Sequence, residues 1–345
     1  MKNTMPVSAL ATTTTDEEGR YLAHELGKRV SLKYTEENLS DVDQAELAKV
    51  EIYIPFVNTR IGLDELKKMP RLRLIATRST GYDHIDLEAA AQQGIAITNV
   101  PAYGERTVAE FAFALMLTLS RKVNLAATRT QHDDFSLEGL QGFDLYGKML
   151  GVVGAGAIGL HMIRIAKGFG MDVVAFDVVQ NRLIAEVLGF RYVDMDMLLS
   201  VADIVSLHVP ALPSTYHMLN RPAFSKMKRG ALLINTARGT LVDTDALVWA
   251  LDNGLLGGAG LDVLEGEAYL QYEEELLYSE ASREQQKLVA LSKQLQHRDN
   301  VVITPHIGFN TKEALYRILD ITVENIQAFL DNHPRNLVPL PQEKS

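Results

Sequence analysis

Short apolar runs rich in Val, Ile, Leu and Ala recur along most of this 345-residue chain, separated by segments with helical spacing. The clearest runs are 72–76 (LRLIA), 95–98 (IAIT), 149–153 (MLGVV), 172–176 (DVVAF), 204–207 (IVSL), 231–234 (ALLI), 258–261 (GAGL) and 301–304 (VVIT). They are continuous rather than alternating, the pattern of strands covered on both faces. Between them the spacing predicts helices over 158–168, 181–188, 195–201 and 243–253. Strand–helix alternation of this kind implies parallel strands joined by crossover helices, and hence a doubly wound α/β chain.

The alternation changes near residue 105. A single long helical stretch is predicted from Glu105 to Gln131, with Val108, Phe111, Leu115, Leu119 and Val123 at helical spacing. The turn-like segment 100–104 (VPAYG) ahead of it is a candidate hinge. A last amphipathic helix is predicted from Thr311 to Asn332, and the Glu/Gln-rich stretch 268–299 reads as a helical insertion between two strands.

Composition narrows the classes. A chain of this length favours two domains. Its 47% hydrophobic and 23% charged residues are those of an ordinary folded protein. With 34 Lys and Arg against 44 Asp and Glu, the net charge is −10, and the basic footprint of a nucleic-acid binder is missing. There is no cysteine, which removes disulfides, thiolate metal sites and cysteine nucleophiles. The nine histidines show no paired spacing, so no metal site is expected. The N-terminal segment has no apolar stretch suited to a signal peptide. The longest unbroken apolar run, Phe111 to Leu117, falls far short of the ~20 residues of a membrane helix. The expectation is a cytoplasmic protein without membrane or nucleic-acid partners.

In open parallel sheets, ligands bind beyond the carboxyl ends of the strands. Six strand ends carry Gly or polar residues there. Strand 149–153 runs into Gly154-Ala155-Gly156-Ala157-Ile158-Gly159, and strand 172–176 into Asp177. Strand 204–207 leads to His208-Val209-Pro210, and strand 231–234 to Asn235-Thr236-Ala237-Arg238-Gly239. Strand 258–261 ends in Asp262, and strand 301–304 in Pro305-His306.

A lone G-x-G-x-x-G also occurs in ordinary turns. Here it follows a strand, opens a helix and is followed by an acid roughly twenty residues later, which is the dinucleotide-binding context. Gly154 makes the tight turn, Gly156 admits the pyrophosphate, and Gly159 lets helix and strand pack closely. Asp177 is expected to accept the adenosine ribose hydroxyls and to disfavour the extra phosphate of NADP, with Arg182 the nearby cation. Arg238, taken alone, could be a surface residue of a loop. On the ligand edge its guanidinium is suited to a substrate carboxylate and to charge growing on an adjacent oxygen. His306 is suited to proton transfer, although most histidines after a buried strand are simply hydrogen-bonded. Glu267, five residues past Asp262, would favour the imidazolium if it paired with His306, and spacing alone does not show that pairing.

Taken together, these motifs resemble the D-isomer-specific 2-hydroxyacid dehydrogenase family over essentially the whole chain. The matching stretches are Gly151–Gly159 (GVVGAGAIG), Leu207–Pro210 (LHVP), Ile234–Asp243 (INTARGTLVD), Gly260–Glu267 (GLDVLEGE) and Ile303–Gly308 (ITPHIG). Arg78–Asp86 (RSTGYDHID) and Asn99–Glu110 (NVPAYGERTVAE) match in the N-terminal part. The resemblance implies two doubly wound parallel-sheet domains, one flavodoxin-like and one Rossmann-like, with the active site in the cleft between them. It implies a discontinuous substrate domain, 1–104 plus 310–345, and an NAD-binding domain, 105–309, that carries the 268–299 insertion.

By the same resemblance the catalytic arginine is Arg238, the supporting glutamate is Glu267 rather than Glu265, and the acid/base histidine is His306. Cofactor contacts carry over to Ala157, Ile158, Asp177, Val209, Pro210, Thr215, Thr236, Ala237 and Asp262. The backbone amides of Thr80 and Gly81 would hold the substrate carboxylate. Within the family the chain looks most like the D-lactate dehydrogenases, with Tyr103 and Phe309 where those enzymes face the substrate. Asn310 stands where a tyrosine is common, and the first strand is the short VSALA. The implied reaction is reversible, NADH-dependent reduction of pyruvate to D-lactate by a homodimer. The alternatives are another 2-oxo acid (hydroxypyruvate, glyoxylate or a bulkier one), or an NAD-sensing binding protein of the co-repressor type.

Overall fold

A computed structural model describes residues 6–57, 59–267 and 283–341. The chain divides into two compact units: Met1–Tyr103 with Thr311–Ser345, and Gly104–Asn310.

The first unit holds a five-stranded parallel sheet of β1 (Val7–Ala11), β2 (Val30–Tyr34), β3 (Ile52–Ile54), β4 (Leu74–Ala76) and β5 (Ala96–Thr98). The strand order β2-β1-β3-β4-β5 is that of a flavodoxin-like fold. The pleat sends neighbouring residues of β4 to opposite faces: Ile75 joins one apolar cluster, while Leu74 and Ala76 join another. The helix Lys312–Leu330 returns to this unit. Thr311 caps it through Ala314 N, and Leu319, Val323 and Ile326 pack beneath β1, β3 and β4.

The second unit holds seven parallel strands: β6 (Met149–Val153), β7 (Asp172–Phe176), β8 (Arg191–Tyr192), β9 (Ile204–Leu207), β10 (Ala231–Asn235), β11 (Leu256–Leu261) and β12 (Val301–Ile303). Their order, β12-β11-β10-β9-β6-β7-β8, is that of a doubly wound dinucleotide-binding sheet with one added edge strand. The order reverses at β6, so the crevice of this sheet opens between the ends of β6 and β9.

One predicted element is corrected. The stretch from Glu105 to Gln131 is two helices, Glu105–Ser120 and Val123–Thr130, broken at Lys122, whose φ is 52°. The cause is a contact remote in sequence. The Ser120 carbonyl accepts from Phe143 N at 2.9 Å, and Lys122 Nζ reaches the Gly139 carbonyl at 2.6 Å. The returning chain therefore takes up the helix end. The first helix buries Ala109, Ala112, Phe113, Leu115 and Met116 in its own unit. Of the expected insertion, Arg283–Gln296 is a helix, and 268–282 lie outside the described residues. No described helix is long and apolar enough to cross a membrane.

Candidate active site

The carboxyl edge of the seven-stranded sheet gathers most of the polar residues singled out from the sequence. Beyond β6, Gly154 has φ 96°, a region that L side chains rarely adopt, and a Cβ there would stand 2.6 Å from the His208 carbonyl oxygen. Gly159, in the first turn of helix Ala157–Gly168, lies so close to the turn that its Cβ would meet the Gly154 oxygen at 2.0 Å. Gly156 differs: nothing stands within 4 Å of its Cβ position. Two glycines thus close the turn on the protein, and the third leaves one side open where the helix begins. Helix N-termini present amide donors without intrahelical partners, so this opening suits an anionic group.

Asp177, beyond β7, accepts from Ala155 N through Oδ2 at 2.7 Å and from Val179 N through Oδ1 at 2.9 Å. It therefore ties the glycine turn to the end of β7, and its carboxylate keeps further lone-pair positions for a ligand. Beyond β9, His208 Nε2 lies 2.9 Å from Ser206 Oγ. Burial pushes the imidazole of His208 down to about 4, so it is uncharged at neutral pH. The following segment folds on Thr215, whose hydroxyl donates to the Pro210 carbonyl at 2.7 Å and accepts from Leu212 N at 2.9 Å. Val209 is half-buried and Pro210 exposed.

Beyond β10, Asn235 organises the loop. Its Nδ2 donates to the Arg238 carbonyl at 2.9 Å, and its Oδ1 accepts from Ala237 N at 3.0 Å. Thr236 Oγ1 is buried with no hydrogen-bond partner among the described residues. Such a group calls for a partner from water or a ligand. The half-buried Arg238 donates from Nη1 to the Ala237 carbonyl at 2.7 Å.

Beyond β11 and β12, Asp262 holds the histidine loop. It is 2% exposed and accepts three bonds: Thr304 Oγ1 at 2.6 Å, Ile307 N at 2.9 Å and Gly308 N at 2.7 Å. Burial pushes its carboxyl group up, against the pull of those bonds. The Asp262 carbonyl also accepts from His306 N at 2.9 Å. His306 sits at φ 54°, a strained position for a residue with a side chain, and it persists because its loop is held on both sides. Its Nδ1 lies 2.9 Å from Glu267 Oε1. The neighbouring acid, Glu265, faces elsewhere: Oε1 is 2.6 Å from His217 Nε2, and Oε2 accepts from Thr244 Oγ1 at 3.0 Å.

In the other unit, Thr80 Oγ1 donates to the Val100 carbonyl at 2.7 Å, and Asn99 Nδ2 donates to the Thr80 carbonyl at 2.8 Å. The Gly81 carbonyl accepts from Ser79 Oγ at 2.6 Å, and the Tyr103 carbonyl accepts from Arg317 Nε at 2.6 Å. Phe309 is half-buried in the second unit, next to Gly308.

Residues 113–308 match the family model of the D-isomer specific 2-hydroxyacid dehydrogenase, NAD binding domain, which is more than half of the chain. The chain belongs to this dehydrogenase family. It is 42% identical over 277 residues to D-lactate dehydrogenase of Escherichia coli, covering 79% of this chain and 80% of that one. An aromatic 2-oxoacid reductase of Clostridium sporogenes is 39% identical over 271 residues, covering 78% and 79% of the two chains. Among solved structures, D-lactate dehydrogenase from Aquifex aeolicus complexed with NAD and lactic acid superposes with a TM-score of 0.82 at 39% identity, over 94% of this chain and 96% of that one.

NAD is the cofactor of this dehydrogenase, and the residues present fit it. The open side of Gly156 at a helix start leaves room for a pyrophosphate, Asp177 keeps acceptor positions for ribose hydroxyls, and the orphaned Thr236 hydroxyl lies on the same edge.

The contacts of several residues of the dehydrogenase had no sequence signal. Arg78 stands inside a recognised motif yet is 2% exposed, donating from Nη2 to the carbonyls of Thr12 and Thr13, both at 2.9 Å. It secures the loop beyond β1. His217, in a loop, and Thr244, at the start of helix Thr244–Asp252, meet Glu265 at separations in sequence of 48 and 21 residues. No local pattern marks such pairs.

Proposed function

We propose that this dehydrogenase reversibly reduces pyruvate to D-lactate with NADH. The observation that carries the reading is the His306–Glu267 pair, set on the same sheet edge as Arg238. Because Nδ1 faces Glu267, Nε2 is the nitrogen left to exchange a proton with the substrate oxygen. Bound NADH supplies the hydride to the carbonyl carbon. Glu267 meets the ring at Nδ1 and so fixes its plane. Arg238 holds the substrate carboxylate through its fork and stabilises charge growing on the carbonyl oxygen. The backbone amides of Thr80 and Gly81 share the carboxylate, and Tyr103 and Phe309 bound the substrate's side chain. Val209, Pro210, Thr215, Ala237 and Asp262 line the cofactor.

The resemblance to D-lactate dehydrogenases supports pyruvate as the substrate. A bulkier 2-oxo acid is the second reading, favoured by the 39% identity to an aromatic 2-oxoacid reductase. The test is NADH consumption with pyruvate, phenylpyruvate, hydroxypyruvate and glyoxylate, with chiral analysis of the product. Fastest turnover of pyruvate to D-lactate supports the proposal. A preference for phenylpyruvate moves the specificity to the second reading. Binding of NADH with no turnover of any 2-oxo acid would overturn both.

The working form is a homodimer in this proposal. What supports it is the apolar surface of the segment after the broken helix, with Phe135, Leu137 and Tyr146 at 77%, 84% and 80% exposure. Sedimentation at the mass of a monomer at micromolar concentration would remove it.

A further inference from the structure

The turn Leu264–Glu267 carries two carboxylates that point to two different histidines. Glu267 meets His306, which the proposed reaction uses. Glu265 meets His217, which the reaction does not use. The two glutamates flank Gly266, at φ 72°, so both carboxylates leave one short turn.

The two ends of the turn are held unequally. Glu267 is 43% exposed at its side chain, and the bonds that fix it locally are long: Glu267 N to the Leu264 carbonyl at 3.2 Å, and Leu264 N to Glu267 Oε2 at 3.2 Å. Glu265 is 10% exposed and takes two side-chain donors, His217 at 2.6 Å and Thr244 at 3.0 Å. His217 is itself constrained. Its φ is 48°, its N donates to the Thr240 carbonyl at 2.9 Å, and its ring stacks on Tyr216 with centroids 3.9 Å apart. The segment just after Arg238 presses on the same turn, since Gly239 has Leu264 and Glu265 backbone atoms against its Cβ position.

We propose that His217 and Glu265 form a second histidine–glutamate pair whose task is to position Glu267 for His306. His217 is a positioning residue and does not touch the reacting atoms. It fixes the turn two residues before the exposed carboxylate, and so sets where that carboxylate meets the His306 ring. A misplacement near 1 Å at such a contact costs on the order of 10²-fold in turnover. The inference rests on the reading of Glu267 as the partner that holds His306 for proton transfer.

A double-mutant cycle on turnover tests it. His217→Ala and Glu265→Ala should each lower kcat roughly 10- to 100-fold with little change in KM for NADH. In a Glu267→Gln background, His217→Ala should cost less than about twofold more, because the group it positions has lost its charge. Thr244→Val, which removes the second donor to Glu265, should lower kcat by a few-fold with the same non-additivity. It replaces His217→Ala in the cycle if that variant does not fold. His217→Gln, which keeps a donor, should recover part of the lost turnover.

Unchanged kcat in folded His217→Ala overturns the proposal. So does the same fold-loss with and without the Glu267 carboxylate, which would mean an independent structural effect. Wild-type turnover in Glu267→Gln alone is a different failure: it removes the reading of Glu267, and the positioning proposal with it.

Discussion

Glu267 Oε1 meets His306 Nδ1 at 2.9 Å, on a ring held at φ 54° by a loop that Asp262 anchors. In the proposed reaction the far nitrogen, Nε2, gives the proton, and the carboxylate holds the ring through Nδ1. Glu267→Gln keeps the shape and an acceptor but removes the charge. The expected result is a kcat for 2-oxo acid reduction lower by roughly tenfold or more, with NADH binding retained. Steady-state kinetics with a 2-oxo acid measures this, and a wild-type kcat would sink the assignment. His306→Gln should cost roughly 10²–10⁴ in turnover with NADH binding retained.

Arg238 is expected to act through its planar fork. Arg238→Lys keeps the charge and removes the two parallel donors, so kcat should fall and KM for the 2-oxo acid should rise, each by tenfold or more at the scale of about 1.4 kcal/mol per decade. Steady-state kinetics with pyruvate reads both parameters. Wild-type values for both would remove the carboxylate-binding role.

Asp177 spends one oxygen on Ala155 N and the other on Val179 N, so its charge is fixed at the end of β7 beside the glycine turn. Asp177→Ser should raise the NADPH-to-NADH ratio of kcat/KM by roughly 10- to 100-fold, mainly through weaker NADH binding and the loss of repulsion toward the extra phosphate. An unchanged ratio would show that cofactor choice lies elsewhere.

How much of this was legible in the sequence follows the physical range of each interaction. Met149–Val153 and Ile204–Leu207 read clearly because central strands covered on both faces leave an unbroken apolar run. Ile52–Ile54 and Arg191–Tyr192 are too short to carry a period, and they form because a neighbouring strand pairs with them. The break at Lys122 has its cause at Phe143, beyond any local window. The site divides in the same way. Strand ends on one edge of a parallel sheet are predictable from topology, and so were Gly154, Asp177, Arg238, Asp262 and His306. The choice between Glu265 and Glu267 needed a resemblance, and the second pair on His217 needed coordinates.

His208 links stability to acidity. Burial lowers its imidazole from 6.5 to about 4, so the unfolded chain takes up the proton first. Its contribution to stability is therefore complete above the ordinary histidine value and is lost as pH falls toward 4, after which it declines no further. The full gap corresponds to about 3 kcal/mol at most, and less because the residue keeps some exposure to water. His208→Asn should shallow the dependence of urea stability on pH between neutral and about pH 5. Parallel curves for variant and wild type would assign the acid sensitivity to other groups.

Two glycine-to-alanine changes should separate folding from cofactor binding. At Gly239 the added Cβ would meet Leu264 C at 2.1 Å, Leu264 O at 2.2 Å and Glu265 N at 2.4 Å, all backbone atoms that cannot turn aside. Gly239→Ala should destabilise the protein by about 1–3 kcal/mol and push the Arg238 loop off the turn that carries Glu267, lowering kcat as well. At Gly156 nothing lies within 4 Å of the added atom, so Gly156→Ala should change stability by less than about 1 kcal/mol, the scale of a lost N-cap preference. Its cost should fall on NADH, whose pyrophosphate would meet the methyl where the backbone now stands open. Thermal unfolding together with NADH titration distinguishes the two. A Gly156→Ala protein that unfolds early yet binds NADH normally would mean that the open side of this turn faces something other than the cofactor.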